Sequence, residues 1–328
     1  MDPRVLEVTR GALVESRHVV HAAASDGARL IATFGDPHRV TYYRSASKVF
    51  QAFPLVESGA ADHFGLGPRE LAIACGSHSG TALHVATVLD MLSRAGLGVE
   101  HLQCGTHAPT DAAAARELAD SGRKPTAACH NCSGKHAGML LATRFRGWPV
   151  ETYLDPEHPH QVEIRRIVAD YAGMGPGDVA VAVDGCSAPV FAVPLLSMAH
   201  SYARFIRGLG PDGAPSATVA RLLDAVRAEP DMVGGPGKLD TEFMRASGGG
   251  YIVKIGAEAV YCVGHVPTGR GLAFKVEDGN MRAVPAALFD LLGALGWPIP
   301  AGLERFARPE VRNFRDRVVG EIRGAGGA

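Results

Sequence analysis

Long hydrophobic runs are missing from this chain of 328 residues. No uninterrupted apolar stretch approaches the roughly 20 residues that a membrane-spanning helix needs. Residues 1–10 mix acidic and basic side chains and lack the apolar core of a secretory signal. We therefore expect a cytoplasmic protein that does not enter a membrane.

A surplus of either charge is missing as well. The 33 Lys and Arg residues nearly balance the 34 Asp and Glu residues, which leaves a formal net charge of −1. Without a basic field to hold phosphates, we expect no binding to nucleic acid or to an anionic membrane. Six cysteines are too few for a disulfide scaffold in a chain of this length, so free thiols or metal ligands are expected.

What the sequence does contain is ample apolar material for a large core. Hydrophobic residues make up 46% of the chain and charged residues 20%, as in ordinary globular proteins. Neither an internal repeat nor a clear linker interrupts it. We predict a single domain over residues 1–328.

Strand patterns and helix patterns are segregated along the chain. Alternating apolar residues predict six strands, at 12–15, 18–23, 29–34, 251–254, 259–263 and 272–276. Asp26-Gly27 is a hairpin turn signal between two of them. Residues 45–228 are mostly helix-like, as in the periodic apolar positions of 83–92, and an amphipathic helix is predicted over 284–295. Strands at both ends with helices between them predict an α+β fold whose antiparallel sheet joins the N- and C-terminal segments.

A serine and a lysine three residues apart carry the first chemical signal. On a helix, Ser45 and Lys48 would share one face, with about 5 to 6 Å between their Cβ atoms. A serine becomes a good nucleophile when a neighbouring base takes its proton, and a neutral lysine amine is such a base. Alone, the pattern is a weak signal, and a serine near a helix start followed by a solvated lysine explains it more often than a catalytic pair does. Together with Lys254 in the triplet Lys254-Ile255-Gly256, it favours an acyl-transfer enzyme.

Cysteines cluster in Cys129-His130-Asn131-Cys132, and Cys186 lies further downstream. The residue types leave three alternatives open: a redox pair, buried structural thiols, or metal ligands. A redox pair lacks the strand-to-helix context that thioredoxin-like proteins give it.

Five separated motifs resemble those of the L-asparaginase II family, the class 3 asparaginases with a serine-β-lactamase-like fold. They occur in family order, and the likeness extends over about residues 5–320. The motifs are Arg44-Ser45-Ala46-Ser47-Lys48, Cys75-Gly76-Ser77-His78-Ser79-Gly80, His130-Asn131-Cys132-Ser133-Gly134-Lys135-His136, Asp184-Gly185-Cys186-Ser187-Ala188-Pro189 and Lys254-Ile255-Gly256-Ala257-Glu258.

The resemblance implies hydrolysis of L-asparagine to L-aspartate and ammonia by two serine-lysine pairs, Ser45 with Lys48 and Ser77 with Lys254. We expect Ser45 to be the nucleophile, because the start of a helix exposes its hydroxyl beside backbone N–H groups. The alternative is that Ser77 attacks. Ile255 departs from the hydroxyl residue found at this place in β-lactamases and penicillin-binding proteins, so no β-lactam carboxylate contact is expected there.

The resemblance also implies one zinc ion, bound by Cys132, Lys135 and Cys186 with water in the fourth position. Substrate contacts are implied for three further residues, Arg44, Asp184 and His136. Without the resemblance, Arg44 and Asp184 fit ordinary surface or structural ions as well as substrate ligands. His136 and His78 would be core histidines rather than residues that orient the site.

Three other functions stay open at this stage. One is a glutaminase or another serine-lysine amidohydrolase on the same scaffold, because one methylene changes discrimination by only about 10- to 200-fold. The others are a zinc-binding protein and a redox protein without turnover. The resemblance further implies a homodimer that acts on a small-molecule substrate.

Overall fold

The computed structural model describes residues 1–325. The strands are β1 (Arg4–Arg10), β2 (Leu13–Ser25), β3 (Leu30–Phe34), β4 (Val40–Tyr42), β5 (Ala180–Val183), β6 (Pro189–Pro194), β7 (Tyr251–Gly256), β8 (Val260–His265), β9 (Arg270–Val276), β10 (Glu310–Arg312) and β11 (Val318–Gly324). The helices are α1 (Lys48–Gln51), α2 (Phe53–Glu57), α3 (Ala60–His63), α4 (Pro68–Ala74), α5 (Ala82–Arg94), α6 (Ala112–Asp120), α7 (Ser133–Phe145), α8 (Pro159–Ala172), α9 (Leu195–Ile206), α10 (Ala217–Ala228), α11 (Pro230–Val233), α12 (Leu239–Ala246), α13 (Val284–Leu295) and α14 (Glu304–Ala307).

The chain divides into two compact units, each assembled from separated stretches. The sheet unit comprises Met1–Ala46, Val193–Ala203 and the chain from Glu242 onward. The helical unit comprises Ser47–Ala192 and Arg204–Thr241. The grouping of all 328 residues into one domain stays a prediction.

An antiparallel sheet forms the sheet unit, with strand order β10-β11-β1-β2-β9-β8-β7 and with β3 paired to β2. Strand β1 lies between β2 and β11, so the two ends of the chain meet inside the sheet. This confirms the predicted α+β fold whose antiparallel sheet joins N- and C-terminal segments. Helix α13 packs beside β1 and β11, where the Arg4 guanidinium donates to both carboxylate oxygens of Asp290 at 2.6 and 2.7 Å.

Most sequence predictions for this unit are confirmed to within two residues. The exceptions are strands β1, β4, β10 and β11 and helices α12 and α14, which were not predicted, and β2, which runs unbroken where two strands were predicted at 12–15 and 18–23. Neither glycine nor proline interrupts β2, and a register shift on β1 between Val8 and Thr9 absorbs the irregularity in pairing. The predicted hairpin turn is present, with the Asp26 N–H donating to the Arg29 carbonyl at 3.1 Å.

The helical unit is organised around α7, whose residues are almost all buried. Two of its glycines allow close packing. A Cβ on Gly134 would lie 2.5 Å from the Ile73 carbonyl oxygen of α4, and one on Gly138 would lie 3.2 Å from the Cβ of Ala74. Glycine at these places therefore brings the start of α7 against the end of α4.

The rest of the helical unit includes a small aromatic core and a hairpin. The rings of Phe50, Phe53, Tyr171 and Phe205 pack with centroids 5.1 to 6.5 Å apart. Strands β5 and β6 pair antiparallel, and the Asp184 N–H donates to the Ala188 carbonyl at 2.9 Å in the turn between them. Within residues 1–325, no helix has both the length and the apolar composition needed to cross a membrane.

Candidate active site

Ser45 lies in the sheet unit, in a short 3-10 turn over Arg44–Ser47 that closely follows β4. Arg44 has a φ of 49°, in the left-handed region that non-glycine residues rarely adopt. The buried Tyr202 hydroxyl donates to the Ala46 carbonyl at 2.8 Å and so holds the turn from below. Strained backbone of this kind persists only where the surroundings hold it, and it is frequent at functional sites.

Strand β7 brings Lys254 near the same turn. A Cβ on Gly256 would lie 2.5 Å from the Tyr43 carbonyl oxygen and 3.2 Å from the Arg44 Cβ, so the strand passes this backbone at a distance that only glycine permits. Lys254 and Gly256 project to the same face of the strand, because side chains alternate along it. Lys254 is 1% exposed, and its Nζ donates to the Ile255 carbonyl at 2.9 Å.

In the helical unit, Lys48 is the first residue of α1 and is 1% exposed. Its Nζ lies 2.9 Å from Ser77 Oγ, 2.6 Å from the Gly76 carbonyl oxygen and 3.4 Å from the Asn131 carbonyl oxygen. An ammonium would donate to all three oxygens. A neutral amine would donate to the two carbonyls and accept the proton of Ser77 with its lone pair.

Ser77 is placed by the backbone around it. Its N–H donates to the Val233 carbonyl at 2.7 Å. A Cβ on the preceding residue, Gly76, would lie 2.5 Å from the Met232 carbonyl oxygen. Glycine at position 76 therefore lets the chain after α4 approach the 232–233 backbone, which fixes the position of Ser77 within the helical unit.

Two thiols and a lysine form a second buried cluster in this unit. The Lys135 amine lies 3.1 Å from Cys186 Sγ, and this sulfur lies 3.7 Å from Asp184 Oδ2. A hydrogen bond from Cys186, helped by the charges of Lys48 and Lys135, holds the pKa of the Cys132 thiol well below its usual value despite burial. The same hydrogen bond and burial raise the pKa of Cys186.

Lys135 responds to these sulfurs in turn. Burial acts to lower the pKa of Lys135, but the charges of Cys186 and Cys132 outweigh it and raise the pKa. The cluster therefore pairs a thiolate with an ammonium when no metal competes for them.

His136 lies one turn into α7 and is fully buried. The Tyr153 hydroxyl accepts the Gln103 N–H at 3.1 Å and shares a hydrogen bond of 2.7 Å with His136 Nδ1. Burial lowers the pKa of His136 to about 4, with the hydrogen bond to Cys186 opposing. His136 is therefore a neutral ring at the edge of the thiol cluster.

Metal-binding capacity depends on the lysine of this cluster. Across residues 1–325, no group of three or more His, Cys, Asp or Glu side chains is placed so that it could hold one metal ion. The two thiols and the nitrogen of Lys135 do converge, and these are soft and borderline donors that suit zinc. The residues fit a zinc ion if Lys135 serves as the third ligand.

The ten site residues predicted from the sequence are divided between the two units. The helical unit brings together six of them, Lys48, Ser77, Cys132, Lys135, Cys186 and Asp184, with His136 alongside. The sheet unit brings the strand of Lys254 to the turn of Arg44 and Ser45. The hydrogen bond between Lys48 and Ser77 was not predicted, since sequence analysis paired each of these residues with another partner.

Sequence analysis also missed the two carbonyl acceptors of Lys48. Main-chain oxygens carry no signal of their own in a sequence. The residues that bear these oxygens did give a signal, because Gly76 and Asn131 each lie inside a motif that was singled out.

Arg44, implied as a substrate ligand, borders a cavity of about 260 Å³ in the sheet unit together with Glu258 and Lys275.

Comparison with known families gives one match that spans nearly the whole chain. The model described as L-asparaginase II matches residues 6–324. A comparison with curated protein sequences found no match.

Several solved structures are similar in fold. One is a β-lactamase from Mycobacterium bovis, which is 14% identical in sequence, with a match that covers 84% of this chain and 94% of that chain and a TM-score of 0.43. Another is a protein from Bacteroides dorei provisionally described as a β-lactamase, at 10% identity, 89% and 93% coverage and a TM-score of 0.40. A third is Mglu, solved in 4.3 M NaCl, at 15% identity, 86% and 62% coverage and a TM-score of 0.45. All three TM-scores are too low to support an inference about activity.

Proposed function

Because this chain belongs to the L-asparaginase II family, we propose that it hydrolyses L-asparagine to L-aspartate and ammonia. The observation that carries the proposal is the part-buried contact of 2.9 Å between Lys48 Nζ and Ser77 Oγ. It supplies what attack on a carboxamide requires, a hydroxyl with a proton acceptor in hydrogen-bond reach.

The reaction would proceed in two steps. A serine Oγ bonds to the carboxamide carbon while its proton passes to the lysine amine, and the carbonyl oxygen becomes an oxyanion. The C–N bond then breaks as the lysine ammonium returns the proton to the leaving ammonia. Water repeats the sequence on the resulting ester, releases aspartate and restores the serine.

Two serines are candidates for the attacking group. The sequence favours Ser45, which the resemblance of its motif to the family pairs with Lys48. The hydrogen bond between Lys48 and Ser77 supports a proton relay through Ser77 and makes Ser77 the second candidate. Lys254 is assigned to the same reaction by resemblance. Acid quenching during turnover, followed by mass spectrometry, locates the aspartyl ester on one serine or the other.

We also propose that Cys132, Lys135 and Cys186 hold one zinc ion, with water in the fourth position. When bound, zinc would supply an electrophilic centre that orients the α-amino and carboxylate groups of the substrate. Cys132 is already poised as a thiolate for this role, whereas Lys135 must first lose its proton. Arg44, Asp184 and His136 are proposed substrate contacts, since a guanidinium and a carboxylate can hold the two charged ends of an amino acid.

The test is ammonia release from asparagine and glutamine, measured side by side on one preparation with its zinc content. Release from asparagine that Lys48→Met lowers by about 100-fold or more supports the proposal. Faster turnover of glutamine would instead identify a glutaminase of the same family. The homodimer and the cytoplasmic location stay predictions, which light scattering and cell fractionation check.

A further inference from the structure

Two separate loops of the helical unit present oxygens to Lys48. The first, which we call the serine loop, is Gly76–Gly80 and contributes the Gly76 carbonyl and Ser77 Oγ. The second, the cysteine loop, is Ala128–Ser133 and contributes the Asn131 carbonyl. We propose that His78 is a positioning residue that ties these loops together through Ser133 and thereby aims Lys48 at Ser77. This inference rests on the proposed role of Lys48 as the base.

A chain of three hydrogen bonds makes the tie. The Gly80 N–H donates to His78 Nδ1 at 3.2 Å, which leaves the ring proton on Nε2. Nε2 lies 2.9 Å from Ser133 Oγ and donates to it. The Ser133 hydroxyl donates onward to the Ala128 carbonyl at 2.9 Å. Because the Gly80 N–H can only donate and the Ala128 carbonyl can only accept, the direction of every hydrogen bond in the chain is fixed.

The surroundings keep this chain intact. His78 and Ser133 are both 0% exposed, so water does not compete for their hydrogen bonds. The His84 ring stacks on His78 with centroids 4.9 Å apart. Burial, followed by the charge of His84, holds the pKa of His78 well below its ordinary value, which keeps the ring neutral and able both to accept and to donate.

Breaking the tie would act on Lys48 first. Its two carbonyl contacts lie on different loops, and the contact to Asn131, at 3.4 Å, is already the longer one. If the loops separate, the amine keeps its bond to Gly76 but loses the second constraint on its orientation toward Ser77. A displacement of about 1 Å in a catalytic group can reduce turnover by about 100-fold.

Side-chain replacements can separate the two hydrogen bonds of His78. Asparagine places its amide near the position of Nδ1, so His78→Asn keeps a group for Gly80 but does not reach Ser133. Glutamine places its amide near Nε2, so His78→Gln keeps a donor to Ser133. Ser133→Ala removes the acceptor with little change in volume, and His63→Asn is a matched control at an exposed histidine of the same unit.

Two assays are run on each variant. The first gives kcat and KM for asparagine. The second gives the rate of serine acetylation by p-nitrophenyl acetate, with the acetylated serine located by mass spectrometry and Lys48→Met as the background. We expect His78→Asn and Ser133→Ala to lower kcat and acetylation by about 10- to 100-fold with KM little changed. The double variant should be no slower than the slower single one. His78→Gln should recover most of the rate, and His63→Asn should match the wild type.

Wild-type rates in Ser133→Ala, or equal losses in His78→Asn and His78→Gln, would overturn the inference. If His78→Asn fails to fold, as judged by circular dichroism, Ser133→Ala decides the question.

The same assays distinguish failure of the tie from failure of the proposed function. A wild type that releases no ammonia but is acetylated in a manner dependent on Lys48 and Ser133 contradicts the asparaginase proposal and supports the tie. His78 and Ser133 variants that release ammonia from asparagine with an unchanged kcat support the asparaginase proposal and contradict the tie.

Discussion

Replacing Gly256 by alanine should damage both stability and activity, although the change adds only one methyl group. The new Cβ would lie 2.5 Å from the Tyr43 carbonyl oxygen and 2.4 Å from the Val260 Cγ1. The valine can rotate away, but the carbonyl belongs to the backbone that leads into the turn of Ser45. Since Cβ atoms essentially never approach another heavy atom within 3.0 Å, β7 and this backbone must separate by about 0.5 Å or more.

The size of the effect follows from that displacement. Overpacking of this kind costs about 1 to 3 kcal/mol, which at about 2.1 cal/mol/K of unfolding entropy per residue lowers the melting temperature of a chain of this size by about 1.5 to 4.5 °C. Lys254 lies two residues from the substitution on the same face of β7, so its amine moves with the strand. A shift approaching 1 Å would reduce kcat/KM for asparagine by about 10- to 100-fold.

Gly293→Ala is the matched control. Gly293 lies in α13 of the same unit, is exposed, and has no heavy atom within 4 Å of an added Cβ. Alanine favours a helix over glycine by about 1 kcal/mol, so this variant should melt higher and keep its activity. Calorimetry and an ammonia assay on both variants test the reasoning. A Gly256→Ala protein with wild-type melting temperature and wild-type kcat/KM would refute the account of β7.

Three further predictions concern the helical unit. Lys48→Met should lower kcat by about 100- to 10,000-fold while the circular dichroism spectrum is kept, and a smaller loss would exclude Lys48 as the base. Burial lowers the pKa of His160 to about 3, so the fold excludes a proton that the unfolded chain binds below about pH 6.5. Stability should therefore fall on acidification from pH 6.5 toward 3, by about 2 kcal/mol between pH 6.5 and 5, and urea titrations of His160→Phe should show a flatter dependence. Cys132→Ala should lose its zinc by elemental analysis, and wild-type zinc affinity should weaken as pH falls because Lys135 must give up a proton; full zinc content in the variant would contradict the ligand set.

Sequence patterns predicted those elements whose apolar residues repeat with a clear period. Helix α13 is an example, because its buried residues recur at helical spacing between a turn and a glycine. Strand β1 was not predicted, since its arginines and glutamate obscure the alternation of a strand whose neighbours are β2 and β11. Only the pairing of the chain ends reveals it, and pairing is a tertiary property.

The candidate site shows the same limit. The spacing of Ser45 and Lys48 predicted a serine with a base, and the motifs pointed to Ser77. The hydrogen bond between Lys48 and Ser77 joins residues 29 positions apart, so no local pattern encodes it. It depends on Gly76 passing close to the Met232 backbone and on Gly134 passing close to Ile73. Such close approaches are decided by the packing of α4 and α7, which a single sequence does not display.

The most direct test of the central claim is ammonia release from L-asparagine by the wild type, Ser45→Ala, Ser77→Ala and Lys48→Met, measured together. The account predicts robust release by the wild type, release lowered by about 100- to 10,000-fold in Lys48→Met, and complete loss in the variant of the attacking serine. A folded wild type that releases no ammonia from asparagine, or a Lys48→Met protein that turns over at the wild-type rate, would contradict it.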